Sequence, residues 1–355
     1  MKNKERKKIR EYIFSVIAPG TPLREAINRI QEANLGALIV LGDLETLKDV
    51  KAGGFELNAE YTPQGVYELA KMDGGIIVSK DIKTIYGANV QIQPDYKIKT
   101  DESGTRHQAA HRLAQQKGCL VVTVSERRNK ITAYIGKERY PLHDISDLLV
   151  KSSQAITALE KYSLAIENSL VALSILEFDN MVTLYDVIEI VRMYGLLFEM
   201  SEELMGYMTE LGTEGRLIRI QYQEIMLNKE EKFISLIKDY KIHNKRAEKI
   251  IEEIKTLNKE ELLINENIVN ILGYEQKKLG LDDIMESRGY NLLSNVNKIT
   301  KKDTELLVKE FSGVQSILLA NAEDFAQIKG ISKQKSNHIV KSLRRLKNRS
   351  VFERD

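Results

Sequence analysis

The sequence of 355 residues has no tryptophan, one cysteine and five prolines. A lone cysteine excludes a disulfide framework and a Cys-x-x-Cys metal site. Cys119 lies in the apolar stretch "GCLVVTVS" and reads as a small core residue, which fits a reducing, cytoplasmic setting. Charge of one sign is not in excess: 53 Lys and Arg face 51 Asp and Glu, for a net charge of +2. A nucleic-acid surface therefore has to be local. Long apolar runs are missing too. The nearest to one, "MVTLYDVIEIVRMYGLLFEM", carries Asp186, Glu189 and Arg192, which argue against a membrane span. The basic start "MKNKERKKIREYIF" lacks an apolar h-region and a cleavage site and is not read as a secretory signal. No GxxxxGK[ST], GxGxxG or GxSxG occurs, so a Walker-type phosphate loop is absent. His107 and His111 have zinc-like i,i+4 spacing, but Gln108 stands where a metalloprotease needs its glutamate base, and no zinc site is expected.

What is present falls into three patterns, predicted as domains over 1–147, 148–288 and 289–355. In the first, β-branched runs alternate with helical ones. "GTPLREAINRIQEAN" predicts a helix capped by Thr21 with Pro22 in its first turn, and "YTPQGVYELAKM" repeats that start. "ALIVL", "GGIIVS", "CLVVTV" and "ITAYI" read as strands, the last two joined by a hairpin turn near Asn129. In the second, Ile156, Leu159, Ile166, Leu170 and Leu173 form a helical stripe, Thr183 and Asp186 resemble a capping box, and no strand is evident. This segment reads as a helical spacer or oligomer-forming bundle. In the third, short helices are joined by tight turns.

Two stretches carry chemistry. In "DESGTRHQAAHRLAQQKG", Gly104 permits a tight turn and Thr105 opens a helix whose first N–H groups have no partner of their own. Such an end attracts phosphate. Arg106 adds a forked cation, and His107 adds a directional donor that needs no charge. An ordinary capped helix with surface Arg and His accounts for the stretch equally well. In "KMDGGIIVSKD", Asp73 precedes Gly74, Gly75 and a strand; a carboxylate there can reach a metal while bare backbone lets a nucleotide approach. Taken alone, a plain Asp-Gly turn is the simpler reading.

Taken together, "MDGGIIVSKD", "YGANVQIQPD", "TDESGTRHQAAHRLA" and "VVTVSERRNKITAYI" resemble the diadenylate cyclase family of DNA integrity scanning proteins. The match extends through "GALIVLGD" and, near the other end, "MESRGYNLLSNV", so it covers nearly the whole chain. It implies an α/β cyclase domain with a mixed sheet flanked by helices, then an all-α spine and a helix–hairpin–helix domain. It also implies condensation of two ATP into cyclic di-AMP and two pyrophosphates with Mg²⁺ or Mn²⁺. By resemblance, Asp73 binds the metal and helps activate the ribose 3′-hydroxyl, and Asp73, Arg106 and His107 are the catalytic set. Gly74, Gly75 and the backbone at Ile92 lie against the nucleotide. Thr105, Arg106, His107, Ser125 and Arg128 hold phosphates, with Gln108 and Ala109 beside them. Two positions depart from the family signatures, Asp-Gly-Ala and Arg-His-Arg: Gly75 stands for Ala, and Gln108 for the second Arg. An impaired DNA-binding scaffold or an ATP sensor of the same fold is therefore the alternative. The family assembles as an octamer, works in the cytoplasm near the nucleoid, and binds branched DNA.

The segment "FAQIKGISKQKSNHIV" fits helix, hydrophobic-Gly-hydrophobic turn, helix, and resembles the helix–hairpin–helix module. Phe325 and Ile328 close the first helix, and Ile339, Val340 and Leu343 face back onto the turn. Lys329, Gly330, Ile331, Ser332, Lys333 and Lys335 are expected to grip DNA phosphates through backbone N–H groups and charge, without reading bases. From Phe325 to Val351 there are Lys329, Lys333, Lys335, Lys341, Arg344, Arg345, Lys347 and Arg349 and no acidic residue. Upstream, "VNKITKKDTELLVKEF" reads as a degenerate first half of a tandem pair, with Lys298 at the glycine position.

Overall fold

In the strand β1 (Ala37–Leu41) all five residues are buried, as a continuous apolar run requires when both sheet faces are covered. The computed structural model describes residues 2–242, 245–274 and 280–352, without the side chains of 2–4 and 349–352. Lys2, Lys4 and Arg349, parts of the basic segments above, thus lie outside the described side chains. The chain divides into two compact units, Met1–Ser152 with Met205–Arg219, and Ser153–Leu204 with Ile220–Asp355.

The first unit begins with α1 (Lys2–Ile17) and α2 (Pro22–Glu32), then β1 and a short α3 (Leu44–Leu47). It continues through β2 (Lys51–Ala52), β3 (Phe55–Glu60), α4 (Pro63–Leu69), β4 (Gly75–Val78) and β5 (Thr84–Ile92). Next come α5 (Thr105–Lys117), β6 (Leu120–Val124), β7 (Ile131–Ile135) and β8 (Glu138–Pro141). The Thr21 hydroxyl accepts from the Arg24 N–H, and the Thr62 hydroxyl from the Gly65 N–H, so both Thr-Pro starts form capped helices; each cap contributes about 1 kcal/mol. The strands form one mixed sheet of order β2-β5-β4-β1-β6-β7-β8, with β3 also on β5; β1 and β4 are parallel and the other pairs antiparallel. Alternation along β1 splits its side chains between two cores. Ala37, Ile39 and Leu41 join Leu23, Ile27 and Ile30 of α2. Leu38 and Val40 join Ala110, Leu113 and Ala114 of α5. The β6–β7 hairpin turns at Asn129, whose φ of 50° supplies the left-handed step.

Helices follow: α6 (Ile145–Asp179), α7 (Leu184–Leu211), a 3₁₀ turn (Gly212–Gly215), α8 (Arg216–Met226), α9 (Lys229–Tyr240), α10 (Ala247–Thr256), α11 (Lys259–Leu262) and α12 (Asn265–Leu272). The stripe Ile156, Leu159, Ile166, Leu170 and Leu173 is buried. At the capping box, the Thr183 hydroxyl donates to Asp186 Oδ2 at 2.6 Å and accepts from the Asp186 N–H at 3.3 Å. No described helix is long and apolar enough to cross a membrane.

The chain ends with α13 (Tyr290–Ser294), α14 (Lys301–Glu310), α15 (Val314–Leu319), α16 (Ala322–Gln327) and α17 (Lys333–Phe352). Phe325, Ile328, Ile331, Ile339 and Leu343 share one core with Leu292, Leu293 and Leu307. Phe325 is fully buried, and truncating such a side chain costs about 3–5 kcal/mol.

Candidate nucleotide site and DNA-binding hairpins

Sheet register brings the chemistry-bearing segments to one end of the first unit. Gly75 at the start of β4 pairs with Leu38 near the start of β1, and Val90 near the end of β5 pairs with Gly75. Ala37 pairs with Val124, the last residue of β6. The Asp73 turn, the Ile92 backbone and the Ser125–Arg128 turn therefore gather at the same edge. The start of α5 joins them, because the Arg106 guanidinium fills the space beside Gly36, where a Cβ would overlap it.

Each part is locally determined. Asp73 is exposed, and its carboxylate has no hydrogen-bond or ion-pair partner among the described residues. Gly74 has φ 92°, and a Cβ there would meet the Asn89 carbonyl carbon at 2.9 Å and Val90 N at 3.0 Å. Both the backbone angle and the space demand glycine. Gly75 is different: a Cβ would meet only the Ile92 side chain at 3.0 Å and Val90 O at 3.4 Å. Gly104 caps α5 with φ −95° and ψ 141°, extended backbone that any residue adopts, so the glycine turn expected there is not needed. No side chain caps this helix, which leaves its first N–H groups for a ligand. Thr105 is exposed in the first turn, and Ala109 is half-buried one turn further on. The Ser125 hydroxyl accepts from the Arg128 N–H at 3.4 Å, shaping the turn that carries the exposed Arg128 side chain.

His107 is held by residues that the sequence did not single out. Tyr134 Oη donates to Glu102 Oε1 at 2.9 Å, and Thr123 Oγ1 donates to the Thr132 carbonyl at 3.3 Å. His107 Nδ1 lies 2.8 Å from Tyr134 Oη and 3.1 Å from Thr123 Oγ1, and these contacts fix the ring. Burial holds His107 below the ordinary imidazole range, opposed by Glu102 and reinforced by Arg139, Arg106 and Arg128. Arg139 Nε lies 2.8 Å from Glu102 Oε1 and anchors the relay.

Gln108 faces its own fold. Its Nε2 donates to the Glu102 carbonyl at 2.9 Å, and its Oε1 accepts from Arg112 Nη1 at 3.5 Å. Arg112 Nε in turn donates to the Ile98 carbonyl at 3.0 Å, so Gln108 and Arg112 fasten the segment before α5 onto the helix. His111 Nδ1 lies 2.8 Å from the Thr100 hydroxyl, and its ring stacks on Tyr134 at 5.5 Å.

In the second unit, Gly330 has φ 110° and is exposed, with its N–H unpartnered among the described residues. Lys329, Ser332 and Lys333 are exposed around it. Two details differ from expectation. The Ile331 N–H is spent on the Ile328 carbonyl at 3.0 Å, and the Ile331 side chain is buried. Lys335 Nζ is paired with Asp303 Oδ2 at 2.8 Å, so it ties α17 to α14. Upstream, Lys298 has φ 63° between α13 and the Thr300-capped α14, the backbone that a hairpin glycine would supply.

Known proteins match three segments of the chain. The family described as DisA bacterial checkpoint controller nucleotide-binding matches residues 24–139, and its linker region matches 142–280. A SAM-like helix-hairpin-helix tandem matches 290–345, which includes both Lys298 and Gly330. A DNA integrity scanning protein DisA of Clostridioides difficile is 38% identical over 97% of this chain and 96% of its own length. Those of Clostridium acetobutylicum and Acetivibrio thermocellus are each 40% identical, over 96% of both chains and 98% of both chains respectively. The chain belongs to the DisA family. Its first domain is the family's nucleotide-binding domain, followed by a helical linker and a helix–hairpin–helix tandem. Among the described residues of this DisA-family chain, no group of three His, Cys, Asp or Glu could hold a metal.

Proposed function

We propose that this chain is a diadenylate cyclase whose helix–hairpin–helix end binds DNA backbone. The observation that carries the reading is the gathering, at one end of the sheet, of the Asp73–Gly74 turn, the uncapped start of α5 and Arg106. In the reaction, the 3′-oxygen of one ATP attacks the α-phosphorus of a second. The bond to the β-phosphate oxygen breaks, pyrophosphate leaves and the hydroxyl proton is lost. The same exchange in the other direction closes the ring, so two ATP give cyclic di-AMP and two pyrophosphates. Each chain offers one such site, and the reaction needs two facing each other, so catalysis requires at least a dimer; the octamer of the family satisfies this.

Asp73 has the chemistry to hold Mg²⁺ or Mn²⁺: it is exposed and unpartnered, and such ions commonly take one or two carboxylates plus substrate phosphates. When bound, the ion supplies charge neutralisation on the phosphates. Asp73 also orients the 3′-hydroxyl. Gly74 lets the nucleotide approach bare backbone. The α5 N–H groups, Thr105, Arg106, Ser125 and Arg128 bind phosphate oxygens, and His107 donates from Nε2 once protonated.

At the other end, Gly330 and the neighbouring Lys329 and Lys333 grip phosphates without reading sequence, and paired hairpins on several subunits favour branched DNA. This supports a nucleoid-associated, cytoplasmic role in genome scanning. The test is incubation of the pure protein with ATP and Mn²⁺, with cyclic di-AMP and pyrophosphate measured together. Both products are expected. Saturable ATP binding without pyrophosphate would make the chain an ATP sensor, and no ATP binding would make it a DNA-binding scaffold.

A further inference from the structure

A cleft of about 540 Å³ opens in the second unit between the end of α9, the turn before α13, and α14. Five cations line it, Lys238, Lys241, Arg288, Lys302 and Lys309, against one carboxylate, Glu305. That carboxylate is already committed: Lys238 Nζ pairs with Glu305 Oε1, and the Tyr290 hydroxyl donates to Oε2 at 3.0 Å. Arg288 is fixed in place, donating to the carbonyls of Lys238 and Lys241 at 2.7 Å each. Lys302 and Lys309 are exposed and have no hydrogen-bond or ion-pair partner among the described residues. Their positions, seven residues apart on α14, place them two turns along one face.

Like charges crowded around a concave surface raise its potential and favour an anionic occupant. Lys241 registers this: burial, then Arg288 and Lys238, hold its ammonium below the usual lysine range, with Glu248 opposing. The cleft is also next to the hairpin. Leu306 lines it, and a Cβ at Gly330 would lie 3.3 Å from Leu306 Cδ1. A duplex held at Gly330 carries about one charge per 1.7 Å of its axis, so phosphates extend well beyond the hairpin.

We propose that this cleft is a second DNA-backbone site, in which the linker helix α9 and Arg288 join Lys302 and Lys309 to hold phosphates adjoining the Gly330 hairpin. It rests on the DNA-binding reading above and extends it into the linker. Specificity is for phosphodiester charge: the aromatic that lines the cleft, Tyr290, is half-buried and has its hydroxyl committed to Glu305.

The test uses the full chain, branched DNA and a plain duplex, with affinity measured across a salt series. Lys302→Glu/Lys309→Glu is compared with wild type, with Lys302→Ala/Lys309→Ala as the milder pair should the reversal perturb folding, judged by thermal melting. Each lost phosphate contact lowers the log–log salt slope by about 0.9, so the double variant should lose nearly two units of slope. Affinity at low salt should fall at least about tenfold, as removal of that much counterion release implies. A folded double variant with unchanged slope and affinity overturns the inference and leaves the hairpin reading standing, provided that Gly330→Val loses DNA. Wild type without DNA affinity overturns both. Loss of tripolyphosphate binding with DNA binding intact also overturns it, assigning the cleft to small anions.

Discussion

The Arg106 guanidinium lies where a side chain on Gly36 would have to be. Gly36→Ala therefore displaces the arginine while leaving every proposed phosphate ligand in the sequence. A charged hydrogen bond contributes about 1.5–3 kcal/mol, so cyclic di-AMP formation should fall about 10- to 100-fold. Product assays at saturating and limiting ATP, with a melting curve near that of wild type, check this.

His107 is neutral in the free site near pH 7, because burial and neighbouring cations lower its pKa. A phosphate at Nε2 reverses that preference, so ATP binding should take up a proton. Calorimetry in two buffers of different ionisation enthalpy at pH 7 measures it. Uptake should vanish in His107→Gln, and the apparent KM for ATP should fall as pH drops from 8 to 6. Tyr134→Phe removes a partner of Nδ1 and should weaken this pH dependence while leaving the fold intact.

Gln108→Ala should free the segment before α5, since the amide bridges the Glu102 carbonyl and Arg112. Faster hydrogen exchange over 98–102 and a KM for ATP raised several-fold are expected. Gln108→Arg keeps a donor for the carbonyl and loses the acceptor for Arg112, placing two cations at i,i+4 spacing. It should not exceed wild-type activity.

Glu177 and Asp239 are buried in the second unit, and burial raises both carboxyl pKa values, each against hydrogen bonds that favour the charged form. The folded state then holds protons that the unfolded chain releases above its ordinary values of 4.5 and 3.8. The sign follows: their contribution is most favourable at low pH and declines as pH rises from the unfolded toward the folded pKa values. Glu177→Gln mimics the protonated form. Melting temperatures between pH 5 and 8 should decline less steeply in the variant.

Lys298 adopts φ 63° at a position that suits glycine. A non-glycine residue there costs about 1–2 kcal/mol, partly offset by the greater freedom of glycine when unfolded, about 0.4–1 kcal/mol. Lys298→Gly should raise thermal stability slightly. If its ammonium meets a phosphate, the same change lowers the DNA salt slope by about one unit.

Much of this was legible locally. Thr21 with Pro22, Thr62 with Pro63, the Asn129 turn and the Lys298 position each declare themselves within four residues, because caps and left-handed turns are local chemistry. The strand β3 does not: "FELNAE" alternates apolar and polar residues, yet every one of them is exposed, so the pattern answers to no core face. Neither does the Glu102–Tyr134–His107 relay, whose hydroxyl lies 27 residues from the imidazole and 32 from the carboxylate. Lys335 looked like a free cation in a run without acids; its partner Asp303 is 32 positions upstream.

Gly74 and Gly75 are neighbours, yet they stand differently toward inherited change. A methyl at Gly75 presses on the side chain of Ile92, which can shift by a few tenths of an ångström. A methyl at Gly74 strikes the backbone of β5, from a φ that L-residues avoid. Drift can therefore exchange Gly75 for alanine, alongside small adjustments at Ile92, while the adjacent codon has nowhere to go. The departure from Asp-Gly-Ala falls on the one of the two positions where the fold leaves a choice.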